Sequence, residues 1–328
     1  MKISSRLPLL QLLVVLIGAT PPAGAQPYPS HPISIIVPAP AGGVSDTLVR
    51  LVAERMREKL GQPVLTENMG GGSLTIGTAH VARAAPDGYT LLLGNSEVFV
   101  LTPATKSALP YDPVKAFAPI AMLPSYPFML VTTNNVPAGN LKELIGWMKS
   151  NNRKVLQGTV GSGTMQQLCG ISIQNTIGAR WQLIPYRGGT PAMQDMLAGQ
   201  INFMCTATGS FLPLVHAGQI KAFAVTAPKR IAAAPEIPTV DEAGLPGFYV
   251  GIWNALWAPA GTPQQIVAKL NAAANAALSD PSFQKKIVEL GLDMPPVEQR
   301  TPQGLAAKRD ADDAKWWPII KQAGLKAE

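Results

Sequence analysis

Short apolar runs and segments of helical spacing take turns along this chain. From Ile33, "ISIIVPAPAGG" reads as an apolar strand that runs into a glycine turn. The next stretch, "SDTLVRLVAERMREKLG", sets Leu48, Val52 and Met56 along one face of a helix. The unit repeats: "PVLTEN" predicts a strand, "LTIGTAHVARAA" a helix and "YTLLLGN" an uninterrupted, buried strand. Alternation of this kind implies a largely parallel sheet.

After "SYPFMLVTTNNVP" a second series begins. It comprises the helix "NLKELIGWMKS", the strand "KVLQGTV", the loop "GSGT", the strand "WQLIPY", the loop "RGGT", the helix "PAMQDMLAG" and the strands "INFMC" and "IKAFAVT". The segment 247–261 mixes aromatics with glycines, and mainly helices lie beyond it. The pattern predicts an α/β protein of two lobes joined by two crossings. Lobe 1 is expected to span 26–127 plus 249–328, and lobe 2 to span 128–248. In such folds ligands sit beyond the carboxyl ends of the strands, in the cleft between the lobes.

The first residues carry Lys2 and Arg6, then an apolar run from Leu9 to Ile17, then Ala23-Gly24-Ala25. That order reads as an export signal over 1–25, cleaved near Gln26, and the apolar run is too short to cross a membrane. The chain has 27 Lys and Arg against 20 Asp and Glu, a net charge of +7. The basic residues are scattered and no aromatic-interleaved basic patch occurs, which argues against nucleic-acid binding and is compatible with a small anionic ligand. Cys169 and Cys205 are the only cysteines. Spacing alone leaves a disulfide and two buried thiols equally open. A monomer is expected.

Candidate chemistry is concentrated in three glycine loops between a strand and a helix: "PAGGVSD" (40–46), "GSGT" (161–164) and "RGGT" (187–190). A helix N-terminus exposes unpaired N–H groups and partial positive charge, and glycine lets an anionic oxygen approach them. The same glycines also serve ordinary tight turns, and Asp46 and Thr164 also serve as helix caps. Asn95 and Ser96, at the end of "YTLLLGN", belong to the same candidate set. Of the aromatics near strand ends (Phe99, Tyr126, Phe128, Tyr186, Trp253 and Trp257), most are read as packing and a minority as cleft lining. No G-x-x-x-x-G-K-[ST], complete G-x-G-x-x-G, G-x-S-x-G or H-E-x-x-H is present, and His31, His80 and His216 have no visible partners. No enzyme, cofactor or metal is therefore predicted.

The blocks "PAPAGGVSDTLVRLVAERMREKLGQPVLTEN", "IGTAHVARAAPDGYTLLLGN", "LPYDPVKAFAPI", "YRGGTPAMQDMLAGQINFM" and "AVTAPKRIAAAPEIPTVDEAGLPGF" closely resemble the Bug family of extracytoplasmic solute receptors, which serve tripartite tricarboxylate transporters. The resemblance covers essentially the whole mature chain. It implies a two-lobed periplasmic binding protein that closes like a hinged trap, holds an organic acid without transforming it, and delivers it to integral-membrane transporter subunits. A sensor that presents its ligand to a signalling partner uses the same trap and is the alternative.

By the same resemblance the ligand carboxylate is held by Ala41, Gly42, Gly43, Ser45 and Asp46 in one lobe. In the other it meets Ser162, Gly163, Thr164, Gly188, Gly189 and Thr190, and Arg187 of the RGGT loop, Gln167 and Thr206 join the candidate set on that side of the cleft. Two positions depart from the family pattern: Gln167 stands where His is common, and Thr206 where Asp is common. A second lobe without that negative charge favours a dicarboxylate or aromatic carboxylate lacking an amine. Paired cysteines in some members raise the expectation of a Cys169–Cys205 disulfide.

Overall fold

The computed structural model describes residues 27–161, 163–322 and 324–325. The expected export signal lies outside them. The first unit is β1 (Ile33–Val37), α1 (Val44–Leu60), β2 (Val64–Asn68), α2 (Thr75–Ala82) and β3 (Thr90–Asn95). Ile33, Ile35, Ile36 and Val37 are at most 1 % exposed, because β1 lies between β2 and β3 and is covered on both faces. Leu48, Val52 and Met56 are all fully buried. α1 stops at Gly61, whose φ of 69° lets its N–H turn back to the Arg57 carbonyl.

β3 runs into a π-helical turn at Glu97–Leu101 and the short α3 (Thr102–Thr105). β4 (Phe117–Thr133) follows, then α4 (Leu141–Ser150), β5 (Leu156–Thr159), α5 (Met165–Ile177), β6 (Gln182–Pro185) and α6 (Gly189–Leu197). The second unit closes with β7 (Phe203–Ala207), α7 (Thr208–His216) and β8 (Ile220–Val225). The chain then returns through β9 (Gly251–Pro259) and ends in α8 (Gln264–Ser279), α9 (Pro281–Glu289) and α10 (Pro302–Gln322). α7 has no counterpart among the elements predicted from the apolar pattern, and His216 is its last residue.

The strand order is β2-β1-β3-β9-β4-β7-β5-β6, with β8 also paired to β4. Among the described strands, only the outer pairs, β1 with β2 and β3 and β5 with β6 and β7, are parallel. β9 runs antiparallel to β3 and β4, and β4 antiparallel to β7 and β8. The largely parallel expectation therefore holds for the outer units and fails at the centre. The reason is that the long β4 and the returning β9 are crossings, not members of strand-helix-strand units.

β4 belongs to both lobes. Its residues up to Pro127 pair with β9, and from Phe128 onward they pair with β7 and β8. At the change of partner, the Thr226 N–H donates to the Phe128 carbonyl (2.8 Å), and the Val250 N–H donates to the Thr226 carbonyl (3.2 Å). The Thr226 hydroxyl also bonds the Phe128 and Val250 carbonyls. Gly251 is needed here because a Cβ would stand 2.7 Å from the Tyr126 carbonyl oxygen.

Candidate functional site

The cleft between the lobes encloses about 350 Å³. Strand ends and helix starts build its wall. β1 supplies Val37, β3 supplies Leu93 and Asn95, and β7 supplies Thr206 and Ala207. α1 enters with Gly43, Val44 and Ser45, α5 with Thr164 and Gln166, and α6 with Gly188 and Gly189. Three helix N-termini thus direct partial positive charge at one volume.

Two glycines in this wall are required neither by a turn nor by packing. Gly43 caps α1 with φ −78° and ψ 168°, extended backbone open to any residue. A Cβ added at Gly43 or Gly189 meets no atom within 4 Å. Gly42 and Gly188, with φ of 88° and 121°, do need glycine's freedom. What Gly43 and Gly189 provide is bare backbone in open space, where a ligand oxygen can reach the N–H groups.

The charged residues of the wall, among those described, are Asp46 and Glu97. Asp46 is 5 % exposed and committed to the fold. Its Oδ2 accepts from the Gly42 N–H (2.9 Å) and Arg50 Nε (3.2 Å), and its Oδ1 from Asn68 Nδ2 (3.0 Å). Burial pushes this carboxyl up, but the bonds from Arg50, Gly42 and Asn68 outweigh it and hold the group below the ordinary aspartate range.

Glu97 reaches across from the π-helical turn of the first lobe. Its Oε1 accepts from the Met165 N–H, at the first residue of α5, at 3.0 Å. Burial raises its carboxyl above the ordinary glutamate range, against the pull of that bond. The Tyr126 hydroxyl, hydrogen-bonded to Ser45, is raised as well, chiefly by burial and then by the charge of Glu97.

α5 opens with a reciprocal cap. The Gln167 N–H donates to Thr164 Oγ1 (3.4 Å), and the Gly163 N–H donates to Gln167 Oε1 (2.7 Å). Gln167 is therefore occupied by the helix end, and Gln166 is the amide that faces the cleft. Gln166 is 8 % exposed, and its Oε1 is buried without a hydrogen-bond partner. Thr206, 2 % exposed, lines the same wall. A disulfide from Cys169 in α5 to Cys205 in β7 ties the two elements together beside it.

Of the predicted residues, the structure gathers Gly43, Ser45, Asp46, Asn95, Thr164, Gly188, Gly189 and Thr206 at the cleft. Ala41, Gly42, Ser96, Gly163, Gln167, Arg187 and Thr190 are not in its wall. The N–H groups of Gly42 and Gly163 serve Asp46 and Gln167, Ser96 is buried below the surface, and Arg187 and Thr190 are exposed. Ser162 lies outside the described residues. Glu97, Gln166, Ser210 and Leu74 line the cleft without having been predicted. The T-x-x-Q spacing of Thr164 and Gln167 is a capping signature and was the available signal for Gln166. Leu74 has a left-handed φ of 70°, a strain of about 1–2 kcal/mol held at the wall of the site.

A second cavity, about 320 Å³, lies against the crossing and includes Pro127, Thr226, Gly251, Lys308 and Lys315. Its Lys308 is paired with Asp312 at 2.6 Å. Among the described residues no helix start with bare glycine backbone opens onto it, so the inter-lobe cleft is the stronger candidate. Among the described residues no cluster of His, Cys, Asp and Glu is placed to hold a metal, and none of the three histidines lines the cleft.

Residues 48–325 match the sequence profile of the tripartite tricarboxylate transporter family receptor. A UPF0065 protein of Agrobacterium vitis is 39% identical over 297 residues, covering 90% of this chain and 86% of the relative. Among solved structures, the periplasmic binding protein BugD superposes with a TM-score of 0.81 at 38% identity, over 92% of this chain and 100% of its own. MatC from Rhodopseudomonas palustris, solved with bound malate, gives 0.79 at 34% identity, over 89% of this chain and 100% of its own.

Proposed function

Because this chain belongs to the tripartite tricarboxylate transporter receptor family, we propose that it captures a small organic carboxylate in the periplasm and delivers it unchanged to the integral-membrane subunits of such a transporter. One observation carries the reading: three helix N-termini converge on a cleft where Gly43 and Gly189 add no side chain and face open space. A cleft without Lys, Arg or His in its described wall holds an anion through backbone dipoles and neutral donors. Malate in the related MatC supports an acid as the ligand.

The ligand carboxylate takes the N–H groups at Gly43 and Ser45 and at Gly188 and Gly189, with Asn95, Thr164, Gln166 and Thr206 around the rest of the molecule. Neutral Thr206 leaves the second lobe's wall without negative charge, which fits a dicarboxylate or an aromatic carboxylate. The lobes close on it by rotation about the crossings near Pro127 and Gly251, shifting an existing open-to-closed equilibrium. A thermal-shift screen against an organic-acid panel tests this. An acid at one hundred times its dissociation constant adds about 2.7 kcal/mol of stability and a clear rise in Tm. No shift with any acid, in a protein that unfolds cooperatively, overturns the proposal.

A further inference from the structure

The carboxylate-binding reading leaves one wall of the cleft unexplained. The helix start that is best placed to hold a second ligand carboxylate, α5, already has a carboxylate on it: Glu97 Oε1 accepts the Met165 N–H at 3.0 Å. The next residue, Gln166, holds a buried amide oxygen that accepts from nothing in the protein. Both residues line the cleft. This end of the site therefore presents two acceptors, one of them acidic, and a buried acceptor left without a donor is costly. The starts of α1 and α6, which line the same cleft, have open space in front of Gly43 and Gly189.

Resting on the carboxylate reading, we infer that the preferred ligand is an acid with one carboxylate, held at α1 and α6, and a hydrogen-bond donor at its far end, a hydroxyl or an ammonium, which meets Glu97 and Gln166. An ammonium has protons for both acceptors and also meets the charge of Glu97, whereas a hydroxyl, with its single proton, donates to one of them. A second carboxylate at that end faces Glu97 at close range and cannot use the N–H that Glu97 already holds. Of the two kinds of acid that the second lobe's wall fits, Glu97 on the facing wall selects against the dicarboxylate. Glu97 is thus a specificity residue contributed by the first lobe, and its charge does what the neutral Thr206 does not.

Calorimetry with two matched series tests the assignment. One is benzoate, para-hydroxybenzoate, para-aminomethylbenzoate and terephthalate; the other is butyrate, gamma-hydroxybutyrate, gamma-aminobutyrate and succinate. In at least one series the wild-type protein is expected to bind a donor-bearing member about tenfold or more tighter than the matching diacid. Comparing the hydroxyl and ammonium members then identifies the donor. Glu97→Gln is expected to shrink that ratio by about tenfold by admitting the diacid, and Gln166→Met to weaken the donor-bearing member selectively. Tighter binding of the diacids by the wild-type protein in both series overturns the inference, whether or not the variants fold. So does an unchanged ratio in Glu97→Gln. If no acid of either series or of a wider panel binds, the carboxylate reading itself is wrong and this inference falls with it.

Discussion

Replacing Gly43 with valine separates binding from folding at the point where the two have been hardest to tell apart. The extended backbone at Gly43 accepts any residue, and an added Cβ meets nothing within 4 Å. The first atom of the new side chain therefore meets no clash in the folded state. Valine is a poorer N-cap than glycine by up to about 1 kcal/mol, while a stiffer unfolded chain returns about 0.4–1 kcal/mol. Stability is expected to change by less than about 1 kcal/mol in urea denaturation. Binding is a different matter, because the branched side chain stands in the space through which a carboxylate reaches the first N–H groups of α1. Losing one such charge-assisted bond costs about 1.5–3 kcal/mol, or roughly a 10- to 150-fold rise in Kd. Calorimetry with the tightest acid from the panel measures it. Unchanged affinity in a stable variant refutes the placement of the carboxylate at α1; a variant that fails to fold refutes the reading of Gly43 as sterically free.

Three further outcomes follow from the same geometry. Gln166→Leu should weaken ligand binding with little effect on stability, whereas Gln167→Leu should cost about 1 kcal/mol of stability through the lost cap and leave the cleft wall intact; paired urea and calorimetry runs separate them. Reducing the Cys169–Cys205 disulfide, which closes a sequence separation of 36, should lower stability by up to about 4 kcal/mol on chain-entropy grounds, read as a lower urea midpoint with dithiothreitol present. Asp313 has its carboxyl pushed up to about 6 by burial, from an ordinary 3.8, so the folded state holds its proton more tightly than the unfolded one. Its contribution is complete below about pH 3.8 and fades as pH rises through 6; Asp313→Asn should flatten that window by about 1 kcal/mol or less after solvent screening.

The outer units of the fold were legible because their apolar runs and helical faces are the direct imprint of two-sided and one-sided burial. β1 is buried on both faces, and Leu48, Val52 and Met56 sit where their spacing requires. The antiparallel centre was not legible, since nothing local to β4 says that its partner changes between Pro127 and Phe128. The three glycine loops do fall at the helix starts that line the cleft, but the loops alone do not tell which residue caps and which faces the cleft. Gln167 and Gly42 are tied up in caps, and Gln166 and Gly43 line the cleft. Glu97 was invisible for another reason: its importance lies in a contact with Met165, 68 residues away across the cleft. A reading of the second lobe alone finds neutral Thr206 and leaves out the acid that lines the same cleft.

The most direct test of the account is a crystal structure with the tightest-binding acid from the panel. The account predicts electron density in the inter-lobe cleft, with a ligand carboxylate within hydrogen-bond distance of the N–H groups at the start of α1 and of α6. Density for the acid at the crossing cavity beside Lys308 and Lys315, with the cleft holding only water, contradicts it.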